Sequence, residues 1–245
     1  ASQVLSAIES GKHVYVEKPL ALKLAEVDAI DAAFQKVNEV RSDPLRLMVG
    51  FNRRFAPHVA KMKSLLGIMR EPKAIIITVN AGAIPTSHWT QDPEIGGGRI
   101  LGEGCHFIDL MRFLVGHAIT GHHSMMMGNA PGVEVRDDKV SINLSFADGS
   151  FGTIHYLANG GKAFPKERIE VFCRDAVLQM NNYRVLQGYG CKGFKKMKLF
   201  KQDKGQFACA KAFVNAVREG KPSPIPYKEV MEVSRVSIEV AESLS

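Results

Sequence analysis

The chain has 245 residues, of which 45% are hydrophobic and 23% charged, an ordinary globular composition with no apolar run of the ~18 residues that a membrane helix needs. Lysine and arginine outnumber aspartate and glutamate by 32 to 25, for a net charge of +7. Much of the excess lies in Lys192, Lys195, Lys196, Lys198, Lys201 and Lys204, which read as a solvated face because no nucleic-acid-binding motif accompanies them. Cys105, Cys173, Cys191 and Cys209 form neither a CxxC pair nor a zinc pattern, and no basic-then-apolar leader opens the chain. Sparse cysteine fits a reducing compartment, so the expected location is cytoplasmic.

In chain order, residues 2–10 read as a helix with Val4, Leu5 and Ile8 on one face, stopped by Gly11. His13 to Glu17 is a short β-branched and aromatic strand, ended by Lys18-Pro19 because proline cannot donate to a ladder. Residues 20–38 carry a helical stripe through Leu24, Val27, Ile30 and Phe34, and residues 46–51 form a second strand. This α-β-α-β order predicts a parallel, helix-covered sheet, and two strands are too few to complete one. Asn52-Arg53-Arg54-Phe55-Ala56-Pro57 is a hinge, with Pro57 suited to open a helix over 57–66.

A strand at 73–80 precedes a long polar loop over 81–98, a length often tied to function. The glycine run Gly96-Gly97-Gly98 then leads into a helix expected over 101–115. Strands follow at 119–127, 139–147, 150–158, 167–173, 176–181, 183–187 and 194–200, with Asp148-Gly149 as a hairpin signal. They predict a mostly antiparallel meander in one open sheet. Helices over 205–219 and 228–244 close the chain, joined by a linker with Pro222, Pro224 and Pro226.

Two places carry residues suited to chemistry. Lys18 stands at the carboxyl end of a strand, where open parallel sheets bind ligands, and suits a proton donor or substrate clamp. The alternative is a surface lysine. His106 follows the glycine run, and histidine titrates near neutrality, so it suits a general acid or base; the alternative is a core histidine bonded to a carbonyl. Asp109, one turn on, is placed to orient His106 or to bond substrate hydroxyls. A metal site of His106, Asp109 and Glu103 is weakly supported, because no His pair at i, i+4 accompanies it.

The segment Gly11-Lys12-His13-Val14-Tyr15-Val16-Glu17-Lys18-Pro19-Leu20 resembles the GKHVxxEKPL signature of the glucose–fructose oxidoreductase / inositol dehydrogenase (Gfo/Idh/MocA) family. Residues 50–57 resemble its domain junction, and residues 96–109 its GGGxLxDxGxHxxD helix. The resemblance implies a Rossmann-type remnant followed by a large, mostly antiparallel open-sheet domain with helices on one face, an α/β plus α+β class. It divides the chain into residues 1–52 of the dinucleotide-binding domain, 53–225 of a substrate and oligomerisation domain, and a closing helix at 226–245 packed toward the first. The implied activity is NAD- or NADP-dependent oxidation or reduction of a sugar, polyol or related hydroxyl compound. Lys18 and His106 match the family's catalytic positions, and Asp109, Arg53 and Trp89 fall in its substrate segments. Glu17, Lys18 and Pro19 fall beside its cofactor. A homo-dimer or tetramer through the open sheet is implied as well.

Two departures accompany the resemblance. The family's dinucleotide fingerprint lies some 90 residues before the Glu-Lys-Pro motif, whereas 16 residues precede Glu17 here, so the pyrophosphate cradle is expected to be absent and binding of NAD(P)H by this polypeptide weak. Gly102 stands where the family keeps an aspartate, and on a regular helix Glu103 points about 100° away from that position. An alternative reading is therefore a non-catalytic module that uses its sheet for dimerisation or binding.

Overall fold

The computed structural model describes residues 1–69, 71–92, 94–133 and 135–244. The front is built as its pattern predicts. Helix α1 (Ser2–Glu9) leads into strand β1 (Val14–Val16), α2 (Leu24–Glu39) crosses over, and β2 (Leu47–Val49) pairs parallel with β1. Glu26 starts α2 by accepting the backbone N–H groups of Leu22 and Lys23, which the first turn leaves unpaired. Val27, Ile30 and Phe34 bury the α2 stripe.

A 3₁₀ turn at Asn52–Phe55 joins this layer to α3 (Pro57–Leu66). The chain then lays down β3 (Ala74–Asn80), α4 (Cys105–Val115), β4 (Ile119–Met126), β5 (Lys139–Phe146), β6 (Phe151–Leu157), β7 (Glu167–Cys173), β8 (Ala176–Asn181), β9 (Val185–Tyr189) and β10 (Lys196–Lys198). Helices α5 (Gln206–Arg218) and α6 (Tyr227–Glu242) finish it.

The eight strands β3–β10 form one sheet in the order β10-β9-β8-β7-β3-β6-β5-β4. This corrects the simple meander. Strand β3 inserts between β6 and β7, parallel to β6 and antiparallel to β7. The loop after β6 is long enough to step over β3, which supplies the most apolar strand for the sheet's centre. The strand expected at 183–187 also starts later. Asn182 and Tyr183 both take left-handed φ values, 51° and 52°, in the three-residue turn that separates the paired Asn181 and Val185.

Register sorts the sheet into two faces. Ile75, Ile77 and Val79 of β3 lie beside Ile154 and Tyr156 of β6 and Ile169 and Val171 of β7, with Ile142 and Leu144 of β5 next beyond β6, all buried beneath the helices. The opposite face carries Ile76, Phe151, Phe172, Tyr189 and Met125, all exposed. Gly152 keeps the covered face close to α4, since a Cβ there would lie 2.5 Å from Met111 Sδ. Helix α6 ties the ends of the chain together: Tyr227 stacks on Phe34 at 4.0 Å and donates to Asp31 at 2.8 Å, and Arg235 pairs with Asp28. No helix among the described residues is long and apolar enough to cross a membrane.

Candidate active site

The strand end at β1 and the start of α4 meet across a cavity of about 280 Å³ lined by Lys18, Arg53, Ile84, His88, Thr90, Arg99, Gly102, Glu103 and His106. Two sequence-distant candidates, Lys18 and His106, thus share one site. Lys18 lies two residues beyond the β1 end, joined by a cis bond to Pro19, and its Nζ donates to the carbonyl of Gly102.

The helix expected from residue 101 begins instead as a π-helical turn, Ile100–Gly104, before α4 takes over at Cys105. Such wide turns recur at functional sites. Glu103 and His106 both line the cavity. The glycine run lets the preceding loop close down. A Cβ on Gly96 would lie 2.4 Å from Thr90 Cα, so only glycine permits the loop carrying His88 and Thr90 to fold over the cavity.

His106 is 5% exposed, and its Nδ1 is buried with no hydrogen-bond partner among the described residues. Burial, then the positive charges of Arg53, Lys18, Lys204 and Lys166, holds its pKa well below the ordinary 6.5. It is therefore a neutral imidazole in a cationic surrounding. Phe51 meets the ring edge-on at 6.2 Å and fixes one side of it.

Glu103 is the site residue that the family pattern left out of the substrate set. It accepts from Tyr156 Oη at 2.7 Å, from Arg99 at 3.1 Å and from Lys166 at 2.8 Å, and pairs with Arg53 at 3.7 Å. Burial by itself raises such a carboxyl. Here the bonds from Lys166 and Tyr156 and the charges of Lys166 and Arg53 outweigh it and hold the pKa down at about 2. Its helical spacing of three from His106 was the available signal. Behind it, Arg53 forks onto Glu167 at 2.9 and 3.1 Å, and Lys204 closes on the same carboxylate. Glu167 and Lys204 were not legible as partners, because 114 and 37 residues separate them from Arg53 and Glu167 respectively.

Three of the expected site residues lie outside the cavity lining. Asp109 is fully buried and does not line the cavity; the Arg54 fork occupies both its oxygens, at 3.0 and 2.5 Å, while Arg54 reaches on to Glu229. No hydrogen bond joins it to His106, and among the described residues His106, Asp109 and Glu103 form no metal grouping. Trp89 is 61% exposed and outside the cavity lining; its neighbours His88 and Thr90 face inward instead. Glu17 is exposed beside Gly50, where a Cβ would lie 2.9 Å from its carboxylate, and it does not line the cavity. Arg53 lines the cavity.

A G-x-G-x-x-G spacing does occur once, at Gly188, Gly190 and Gly193. It lies at the hairpin between the antiparallel strands β9 and β10, not between a strand and a helix, so it offers no helix N-terminus to a pyrophosphate.

Residues 71–179 match the family model described as the GFO/IDH/MocA C-terminal domain. The chain is 25% identical over 234 residues to a myo-inositol 2-dehydrogenase of Thermotoga maritima, covering 91% of this chain and 67% of that protein. It is 29% identical over 177 residues to an uncharacterised oxidoreductase of Bacillus subtilis, covering 70% of this chain and 49% of the other. The chain thus spans between about half and two thirds of the length of these relatives. Among solved structures, an oxidoreductase domain protein from Kribbella flavida superimposes with a TM-score of 0.82 at 23% identity, covering 99% of this chain and 75% of that one. A levoglucosan dehydrogenase in complex with NADH and levoglucosan gives 0.81 at 23% identity, with coverages of 99% and 74%. Residues 71–179 thus carry the GFO/IDH/MocA C-terminal domain pattern, and over nearly its whole length the chain shares the fold of these oxidoreductases.

Proposed function

We propose that the chain forms the substrate side of an NAD- or NADP-dependent oxidoreductase acting on a sugar, polyol or related hydroxyl compound. The observation that carries this reading is a buried, neutral His106 sharing a small cavity with Lys18 at the carboxyl end of a parallel strand. The residues fit the reactive end of a nicotinamide cofactor, through the β1 end at Lys18-Pro19, and contain no glycine cradle for its phosphates. When bound, the cofactor supplies the hydride acceptor or donor.

In the oxidative direction His106 accepts the proton of the substrate hydroxyl, for which its neutral form is required. Lys18 donates toward the same oxygen, and the nearby Arg53 adds positive potential that favours negative charge developing there. Glu103, held ionised by its partners, accepts hydrogen bonds and offers a carboxylate edge to neighbouring hydroxyls. With Gly102 at the family's aspartate position, no side chain there shares the work of His106.

The test uses the protein as its gene encodes it, with NAD+ or NADP+ and a panel of inositols and aldoses. His106→Ala and Lys18→Ala should each lower kcat by on the order of a hundredfold or more while preserving the circular dichroism spectrum. Unchanged turnover in both variants overturns the assignment.

A second copy of the chain is the partner this reading assigns to the exposed sheet face, where register puts Phe151 and Phe172 on either side of Ala74 and continues the row through Val177 to Tyr189. A monomer at micromolar concentration in analytical ultracentrifugation would remove that part. Cytoplasmic residence and the division at residues 52 and 225 belong to the same proposal.

A further inference from the structure

A second cavity, of about 720 Å³, opens next to the His106 site. Three segments wall it: Asn80 to Ala83 after β3, the loop between β6 and β7, and the β8–β9 turn. The two cavities adjoin. Ala83 lines the larger and Ile84 the smaller, Arg99 of the smaller bonds the carbonyl of Gly82 in the larger at 3.2 Å, and Lys166 of the larger reaches Glu103 of the smaller at 2.8 Å.

The charge of this cavity has one sign. Lys162, Lys166 and Arg184 line it, and no carboxylate does. Lys166 is held by Glu103. Among the described residues no ion pair holds Lys162 or Arg184. The amides of Asn181 and Asn182 add donors to the same space, with Asn182 Oδ1 occupied by Gln202.

The loop presenting Lys162 is fixed. Asn80 Nδ2 donates to the carbonyls of Gly161 and Phe164 at 2.9 and 3.1 Å, and a Cβ on Gly160 would lie 2.0 Å from Asn80 Oδ1, so a side chain there would push the Asn80 amide aside. The opposite wall is equally set, since Arg184 follows the left-handed Asn182-Tyr183 turn. Two unpaired cations on defined backbone, facing one acid-free cavity, form a site for an anion.

We propose that this cavity binds a phosphate group carried by the sugar substrate, with Lys162 and Arg184 as its recognition residues, while the hydroxyl to be oxidised lies at His106. The second half rests on the oxidoreductase reading above; the first does not. The volume exceeds what a lone phosphate fills, which leaves room for the sugar to extend from it toward Glu103.

Isothermal titration of the 245-residue chain, without cofactor, tests this. Inorganic phosphate, glucose 1-phosphate and glucose are titrated into the wild type, the exposed double variant Lys162→Ala/Arg184→Ala, and His106→Ala. Glucose 1-phosphate should bind the wild type more tightly than phosphate or glucose. The double variant should weaken it by about tenfold or more, as expected for the loss of two charge-assisted contacts. His106→Ala should leave phosphate binding unchanged. Absence of anion binding, or binding unaltered by the double variant, overturns the site. Phosphate binding as tightly as glucose 1-phosphate overturns the sugar-linked part. Because no turnover is read, failure here is separable from failure of the His106 and Lys18 variants in the activity assay.

Discussion

Replacing Glu103 by glutamine removes one charge from the centre of the site while nearly preserving its shape. Its carboxylate faces Arg53, Arg99 and Lys166 and accepts from Tyr156. Those partners move its pKa from the ordinary 4.5 to about 2. At ~1.4 kcal/mol for each tenfold change in proton affinity, the ionised form is favoured in the folded state by about 3 kcal/mol. Because the folded value is depressed, this stabilisation is fully present above the unfolded value and disappears as pH falls from about 4.5 toward 2. Roughly 2 kcal/mol of it is gone by pH 3. Urea unfolding of the wild type and Glu103→Gln at pH 7 and at pH 3 isolates this contribution, because other carboxylates titrate alike in both proteins. The wild type should be more stable at pH 7, by up to about 3 kcal/mol, and the gap should narrow by most of that at pH 3. A gap of equal size at both pH values would refute an ionised Glu103 at the hub of these cations.

Other perturbations read other parts of the site. Asp109→Asn should destabilise by about 3–5 kcal/mol in urea unfolding, since it strips the buried Arg54 fork of its charge; a variant of wild-type stability that has lost activity would return Asp109 to the substrate side. Gly96→Ala should cost roughly 1–3 kcal/mol and raise KM, because its Cβ pushes the Thr90 backbone outward; unchanged KM would detach that loop from the site. Trp89→Ala should alter KM less than His88→Ala, the reverse of what their side-chain sizes suggest. The pH profile of kcat/KM should show no acid-side fall near the ordinary histidine value of 6.5, since burial and neighbouring cations keep His106 unprotonated to lower pH. An inflection at that value would contradict the burial of His106.

Local signals carried the elements well. The periodicity of Val27, Ile30 and Phe34, the proline at the first turn of α3 and the Asp148-Gly149 hairpin each act within a few residues, and each appears where expected. Lys18 and His106 were visible because strand ends and glycine-led helices are local features that make pocket walls. The insertion of β3 between β6 and β7 was not visible, since hydrophobic alternation states which face a strand buries but not which neighbour it takes.

Asp109 and Glu103 show the same division at the site. Both are acids three residues from His106, and helical spacing treats them alike. Their roles separate only when the hinge folds back: Arg54 meets Asp109 across 55 residues and takes both its oxygens, while Arg53, Lys166 and Tyr156 gather around Glu103. The cationic cavity behind Lys166 likewise joins residues near 80, 162 and 184 that no spacing connects. Sequence alone determined which side chains have the chemistry, because residue type and local backbone preference are written in order along the chain. Tertiary structure decided which of those groups are neutralised by a partner and which remain free to act, because charge pairing depends on distance in space and not on separation along the chain.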